Sequence, residues 1–310
     1  MLSGKTGSTV FLLKKVDYGL TSNIMAKSPS HILGELIGNF FENAMKKPIE
    51  KFSVENDLYF DTIGYRKARK GIKVTWEDAD GNHHDLDYVL ERGGTEANIG
   101  LPVAFIELAW RRYTKHSKNK AQEISGAINP IVERFKKTQP FKGAILSGEF
   151  TSNSLEQLRS QGFSVLYISF NDLVSSFRAK GLDIFFDEDT SSEELSRIVD
   201  NWKATPDSVL AEIRDNLLRR CATKINTFIE ELSVSVNRRI ESIHILPLHG
   251  SSILLSSVDS AIKYINDYES IPQEAELQYI EIIVRYTNGS HIDCHFKNKQ
   301  QTIDFLSKID

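Results

Sequence analysis

The segment Val103–Trp110 constrains this chain more than any other. Strand alternation sets Val103, Phe105, Glu107 and Ala109 on one face and Ala104, Ile106, Leu108 and Trp110 on the other. Both faces are apolar except at Glu107, the pattern of a strand covered on two sides. Glu107 is therefore a carboxylate near the end of a core strand, a costly placement without a partner. A divalent cation shared with a second carboxylate would be such a partner. Asp87 is the candidate: over His84–Leu90, alternation groups it with Asp85 and Val89, against Leu86, Tyr88 and Leu90.

The surrounding sequence arranges these two strands. Gly71–Trp76 reads as a strand, Asp78–Asn82 as a turn with Gly81 where a left-handed residue is wanted, and the return strand from His84 delivers Asp87. After Glu107, the stretch Arg111–Lys120 carries five Lys/Arg, one His and no acid. It opens a helix from about Ser117 whose apolar spacing continues across Pro130. Strand Gly143–Ser147, helix Ser154–Ser160, strand Ser164–Ile168 and helix Asn171–Lys180 follow, an alternation that implies parallel pairing through crossover helices. Upstream, Ser28-Pro29 starts a helix running to about Met45 and ended by Pro48, with Glu35 and Glu42 on one side.

An Asp ending a hairpin strand, a Glu about twenty residues later on an apolar strand, and a basic helix after it resemble the PD-(D/E)XK nuclease superfamily, which includes type II restriction endonucleases. The resemblance covers about residues 30–180. It implies a mixed sheet flanked by helices, with Asp87 and Glu107 as ligands of Mg²⁺ (Mn²⁺ substituting) and double-stranded DNA as substrate. It also implies support from a helical Glu, matched by Glu35 or Glu42, and from Gln122. Arg111, Arg112, Lys115 and Lys118 would face phosphates. The motif lysine is missing, because position 109 is Ala in Glu107-Leu108-Ala109. Three readings stay open: a lysine from the next helix (Lys120, or Lys115 or Lys118) takes its place, the alanine was introduced to disable the enzyme, or the domain binds without cutting.

Other stretches weigh less. Gly4-Lys5-Thr6 lacks the first glycine of a phosphate-binding loop. His83-His84-Asp85-x-Asp87 places two His and two Asp together, but alternation splits the histidines. Arg66-Lys67-Ala68-Arg69-Lys70 reads as a second basic cluster, lining a phosphate backbone or keeping a loop solvated. The acidic run Asp187–Glu194 reads as a boundary between a nuclease-like domain (1–190) and an accessory part (191–310). That part would comprise a helical segment and a small α/β unit with a hairpin across Asn288-Gly289.

A net charge of −4 gives no global basic signal, although the field that matters for DNA is local to a cleft. Cys221 and Cys294 are too few and too far apart for a disulfide framework, which fits a reducing cytoplasm. No apolar run approaches the ~18–20 residues that span a bilayer. The expectation is a cytoplasmic, Mg²⁺-dependent DNA endonuclease of restriction type, homodimeric if its target is symmetric. The rivals are a non-cutting DNA-binding subunit on the same fold and a metal-dependent hydrolase of small phosphorylated substrates.

Overall fold

The computed structural model of the chain describes residues 27–136, 138–247, 251–268 and 278–309. The Gly4-Lys5-Thr6 stretch lies outside them. The protein is α/β, with a mixed five-stranded sheet flanked by helices and a separate four-stranded antiparallel sheet.

Helix α1 (Pro29–Glu55) starts where Ser28 accepts a hydrogen bond from the His31 amide, with proline in the first turn. It does not stop at Pro48 but runs about two turns beyond it. Proline removes one hydrogen bond from a helix interior, and the packing of Phe41, Met45, Ile49 and Phe52 on the core outweighs that loss.

The main sheet has the order β1-β4-β5-β6-β7. Strands β1 (Leu58–Thr62), β4 (Tyr88–Arg92) and β5 (Leu101–Arg111) are antiparallel neighbours, while β5, β6 (Phe141–Gly148) and β7 (Ser164–Ser169) run parallel. Strand β5 is covered on both sides as its pattern requires. Ala104 and Ile106 face the core under α1, and Phe105 and Ala109 face the core under α2 (Ser117–Arg134) and α3 (Ser152–Ser160). The hairpin of β2 (Val74–Glu77) and β3 (His83–Leu86) lies on that second face, where Trp76 packs edge-on against Phe105 and Phe135.

The predicted strand His84–Leu90 is in fact two. Strand β3 pairs only with β2, β4 joins the main sheet, and the chain changes sheets at Asp87. Strand β1 was not anticipated from the sequence.

The boundary predicted at residue 190 is also displaced. Helix α4 (Phe170–Arg178) is followed by α5 (Ser192–Ala204), α6 (Asp207–Arg220) and α7 (Ala222–Val236). Leu195, Trp202, Leu217, Phe228 and Leu232 of these last three helices join the core of α1 and the main sheet. The acidic run ends in a capping box, with Ser191 and Glu194 satisfying each other's backbone amides at the start of α5. Only from about Arg239 does the chain enter a second core. That core is built on β8 (Ile240–Pro247), β9 (Ile253–Leu255), α8 (Val258–Asp267), β10 (Ile280–Tyr286), β11 (His291–Phe296) and α9 (Lys299–Leu306). Its β10–β11 hairpin turns at Gly289, where φ is +80°.

The cluster Arg66–Lys70 does not offer its arginines to a phosphate. Arg66 is 1% exposed and forms two bonds to Glu91 (2.6 and 2.9 Å) and one to Asp61 (2.7 Å), with its remaining donors on the carbonyls of Thr95 and Asn98. Arg69 also pairs with Asp61, at 3.0 Å. Removing Arg66 alone strands the buried Glu91 without a counter-charge and leaves Asp61 to Arg69, so Arg66→Met is expected to destabilise the fold by about 3–5 kcal/mol. The urea midpoint measures this; a shift worth under about 1 kcal/mol would show that the cluster is not structural.

Candidate active site

Asp87 and Glu107 meet at the end of the β4–β5 ladder. The register pairs Tyr88 with Ile106, so Asp87, one residue earlier, stands across from Glu107. Each carboxylate binds the other strand's backbone. The Asp87 amide donates to Glu107 Oε1 at 3.2 Å, and the Leu108 amide donates to Asp87 Oδ2 at 2.7 Å. The second oxygens, Asp87 Oδ1 and Glu107 Oε2, accept no hydrogen bond among the described residues. Neither is a buried orphan, so both are reached by solvent.

The electrostatics follow from burial. Glu107 is pushed up to about 8, first by desolvation and then by the Asp87 charge, while Lys120 and the Asp87 amide pull the other way. Asp87 is raised by burial, against the Leu108 amide and the positive charge of Lys120. Glu42 on α1 is raised by burial and by Asp87. Three acids are held above their ordinary range by burial, with Lys120 pulling against it on two of them and Lys46 on the third. A divalent cation fits that donor set: two hard carboxylate oxygens free to ligate, and a third carboxylate, Glu42, lining the cleft beside Asp87.

The cleft has a volume of about 260 Å³. Glu35, Gly38, Asn39 and Glu42 of α1 form one wall, the Leu108–Arg111 end of β5 forms the floor, and Lys120 from the first turns of α2 closes another side. Tyr88 ties α1 to this end of the sheet by donating its hydroxyl to the Glu42 carbonyl at 2.9 Å. At the floor, Gly148 has φ +99°, and a Cβ there would stand 2.0 Å from the Arg111 carbonyl oxygen, so only glycine lets β6 pass.

The sequence-predicted residues divide. Asp87, Lys120 and Arg111 line the cleft together with Ala109, and Glu107, which does not line it, joins them through its contact with Asp87. Glu35 lines the rim but is bound to Lys27 (2.5 Å) and His31 (3.1 Å), and it is Glu42 whose ionisation Asp87 affects. Gln122 is exposed and does not line the cleft. Lys118 is exposed outside it too, and Lys115 rests 5.5 Å from the Tyr113 ring centre. Arg112 points elsewhere altogether. Strand alternation turns it away from Arg111, its guanidinium bonds the Phe186 carbonyl, and it lies 4.3 Å from the Phe170 ring centre. The histidine–aspartate run is dispersed as well, because His84 pairs with Asp78 (2.9 Å) and Asp85 with Lys73 and Thr75.

One grouping was missed in the sequence. Glu281 on β10 and Asp293 and His295 on β11 bring ligand-type atoms within 4.8 Å of one another. The cross-strand register, Glu281 opposite His295, is what joins them. They are largely exposed, and His295 lies 3.3 Å from Glu281 as an ordinary cross-strand pair.

No family model and no curated protein matches this chain. Among solved structures, the chain is similar to the crystal structure of AF1548, a protein of unknown function, at 11% identity and a TM-score of 0.27, over 64% of this chain and 98% of that one. A likeness of that size carries nothing about activity. No helix among the described residues is long and apolar enough to cross a membrane.

The raised Glu107 has a consequence for stability. The folded state holds a proton that the unfolded state has released above its ordinary value of 4.5, so metal-free stability falls as pH rises from about 4.5 to about 8. Glu107→Gln keeps the acceptor for the Asp87 amide and removes this titration. Its stability–pH profile in chelator is expected to be flatter across that window; an unchanged slope in urea unfolding would rule out the assignment.

Proposed function

We propose that this chain is a Mg²⁺-dependent endodeoxyribonuclease of the PD-(D/E)XK type, most simply a restriction-type enzyme, with Lys120 in place of the lysine that Ala109 lacks. The observation that carries the reading is the facing pair Asp87 and Glu107, with the charge of Lys120 acting on both, at the end of a mixed sheet. Asp87 Oδ1 and Glu107 Oε2 would hold the cation, and Glu42 would complete its shell through water. When bound, the cation supplies Lewis-acid polarisation of the scissile phosphate and a more acidic attacking water.

The rest is done by the protein's own groups. Backbone amides hold each carboxylate by one oxygen and leave the other without a protein donor among the described residues. Lys120 would place a positive charge beside the site where charge develops on the phosphate, and Arg111, at the end of the cleft floor, would meet the backbone. Cleavage of both strands of a symmetric target would call for two copies of the chain.

Plasmid and phage DNA with Mg²⁺ or Mn²⁺ test the proposal. The chain is expected to cut, with Asp87→Ala and Glu107→Ala inactive and Lys120→Ala slower by about a hundred- to a thousandfold. Cleavage only after Ala109→Lys would mean that Lys120 does not substitute for the motif lysine. DNA retention without cleavage by any variant would instead favour the non-cutting subunit, a reading that the alanine at position 109 itself supports.

A further inference from the structure

We propose that the cavity between the first core and the C-terminal sheet is a phosphate-binding site separate from the carboxylate cleft. Its volume is about 370 Å³, and among the described residues Arg92, Arg238, Arg239 and Lys308 line it against one carboxylate, Asp259. Among the described residues none of the four cations forms an ion pair. Arg238 is the deepest. It donates to the Gln139 carbonyl and side-chain oxygen (both 3.3 Å) and to the Thr138 carbonyl, and lies 4.4 Å from the Tyr286 ring centre. Arg92 likewise donates to a carbonyl, that of Val236, at 3.0 Å. Carbonyls satisfy these N–H groups but leave their charge uncompensated. Burial first, and the neighbouring charge of Arg92 to a lesser degree, push the pKa of Arg238 down, against the opposite pull of Tyr286.

The wall itself is strained. Gln139 has φ +43°, a left-handed conformation uncommon for residues other than glycine, and Arg238 together with a bond from Gln139 to the His291 carbonyl (2.8 Å) holds it there. Such outliers persist where the surroundings over-determine them, often at ligand sites. A phosphate group is the chemistry that answers several converging Arg and Lys side chains, through charge-assisted bonds to its oxygens. Tyr286 is 3% exposed beneath Arg238 and offers no face for a base to stack on, so recognition is of the phosphate itself.

The position sets this site apart from the one proposed for catalysis. Leu101 lines the cavity at the start of β5, and Glu107 stands about 20 Å further along the same strand at its usual rise. Because residues of both cores form the walls, a bound phosphate clamps the C-terminal sheet to the main one. The inference does not depend on nuclease activity.

Titration calorimetry and thermal melting of the full chain test it, with potassium phosphate and a 5′-deoxymononucleotide as probes and potassium chloride at equal ionic strength as control. Arg239→Ala combined with Lys308→Ala is the informative variant, since both side chains are exposed and make no hydrogen bond among the described residues. The wild type is expected to bind phosphate saturably and to melt higher with it. The double variant should melt as the wild type does without phosphate and bind it about tenfold or more weakly, as expected on losing two charged contacts. Asp87→Asn should bind it normally. If the double variant also loses affinity for a short DNA duplex, the phosphate belongs to a DNA backbone; if only mononucleotide binding falls, it belongs to a free nucleotide. Phosphate acting no differently from chloride, equal binding by wild type and double variant, or loss of binding in Asp87→Asn would each overturn the proposal.

Discussion

The candidate site depends on an exchange of backbone bonds between two strands. Asp87 and Glu107 each accept one amide from across the ladder, so two acidic side chains stand face to face without either strand giving way. The bonds spend one oxygen of each carboxylate and leave the other without a protein donor among the described residues. They also fix where the chain leaves the main sheet, because Asp87 is the point at which β3 and β4 part. Fold and chemistry are set by the same few atoms.

Much of this was legible in the sequence, for identifiable reasons. Strand β5 announced itself because both faces must be apolar when both are covered, and a carboxylate in such a strand stands out. The β6–α3–β7–α4 alternation and the Gly289 hairpin followed from local signals that tertiary structure had no cause to override. The helices at 192–236 were also readable as helices, but an apolar stripe does not say which core it will join. A polar run rich in Asp and Glu looks the same whether it separates domains or caps a helix, as Ser191 and Glu194 do.

The remaining misses concern charge. Five residues of mostly basic composition read as a lining for a phosphate backbone or as a solvated loop, yet Arg66 is the buried centre of an ion cluster whose acids, Asp61 and Glu91, come from strands far apart in sequence. Within the basic stretch, the phase of α2 selects Lys120 over Lys118, and that phase is set by the short 3-10 turn Thr114–His116, which no periodicity reveals. Arg111 and Arg112 look equivalent until strand alternation sends one to the cleft and the other beneath Phe170.

The packing of α5, α6 and α7 over α1 has a consequence for how the chain comes into being. The apolar stripe of α1 leaves the ribosome well before the helices that complete its cover, which end at Val236. At usual elongation rates of about 5–20 residues per second, that interval lasts on the order of 10–40 s. During it the first helix and the growing sheet have half a core between them, and the nascent chain must be shielded until its own later helices arrive.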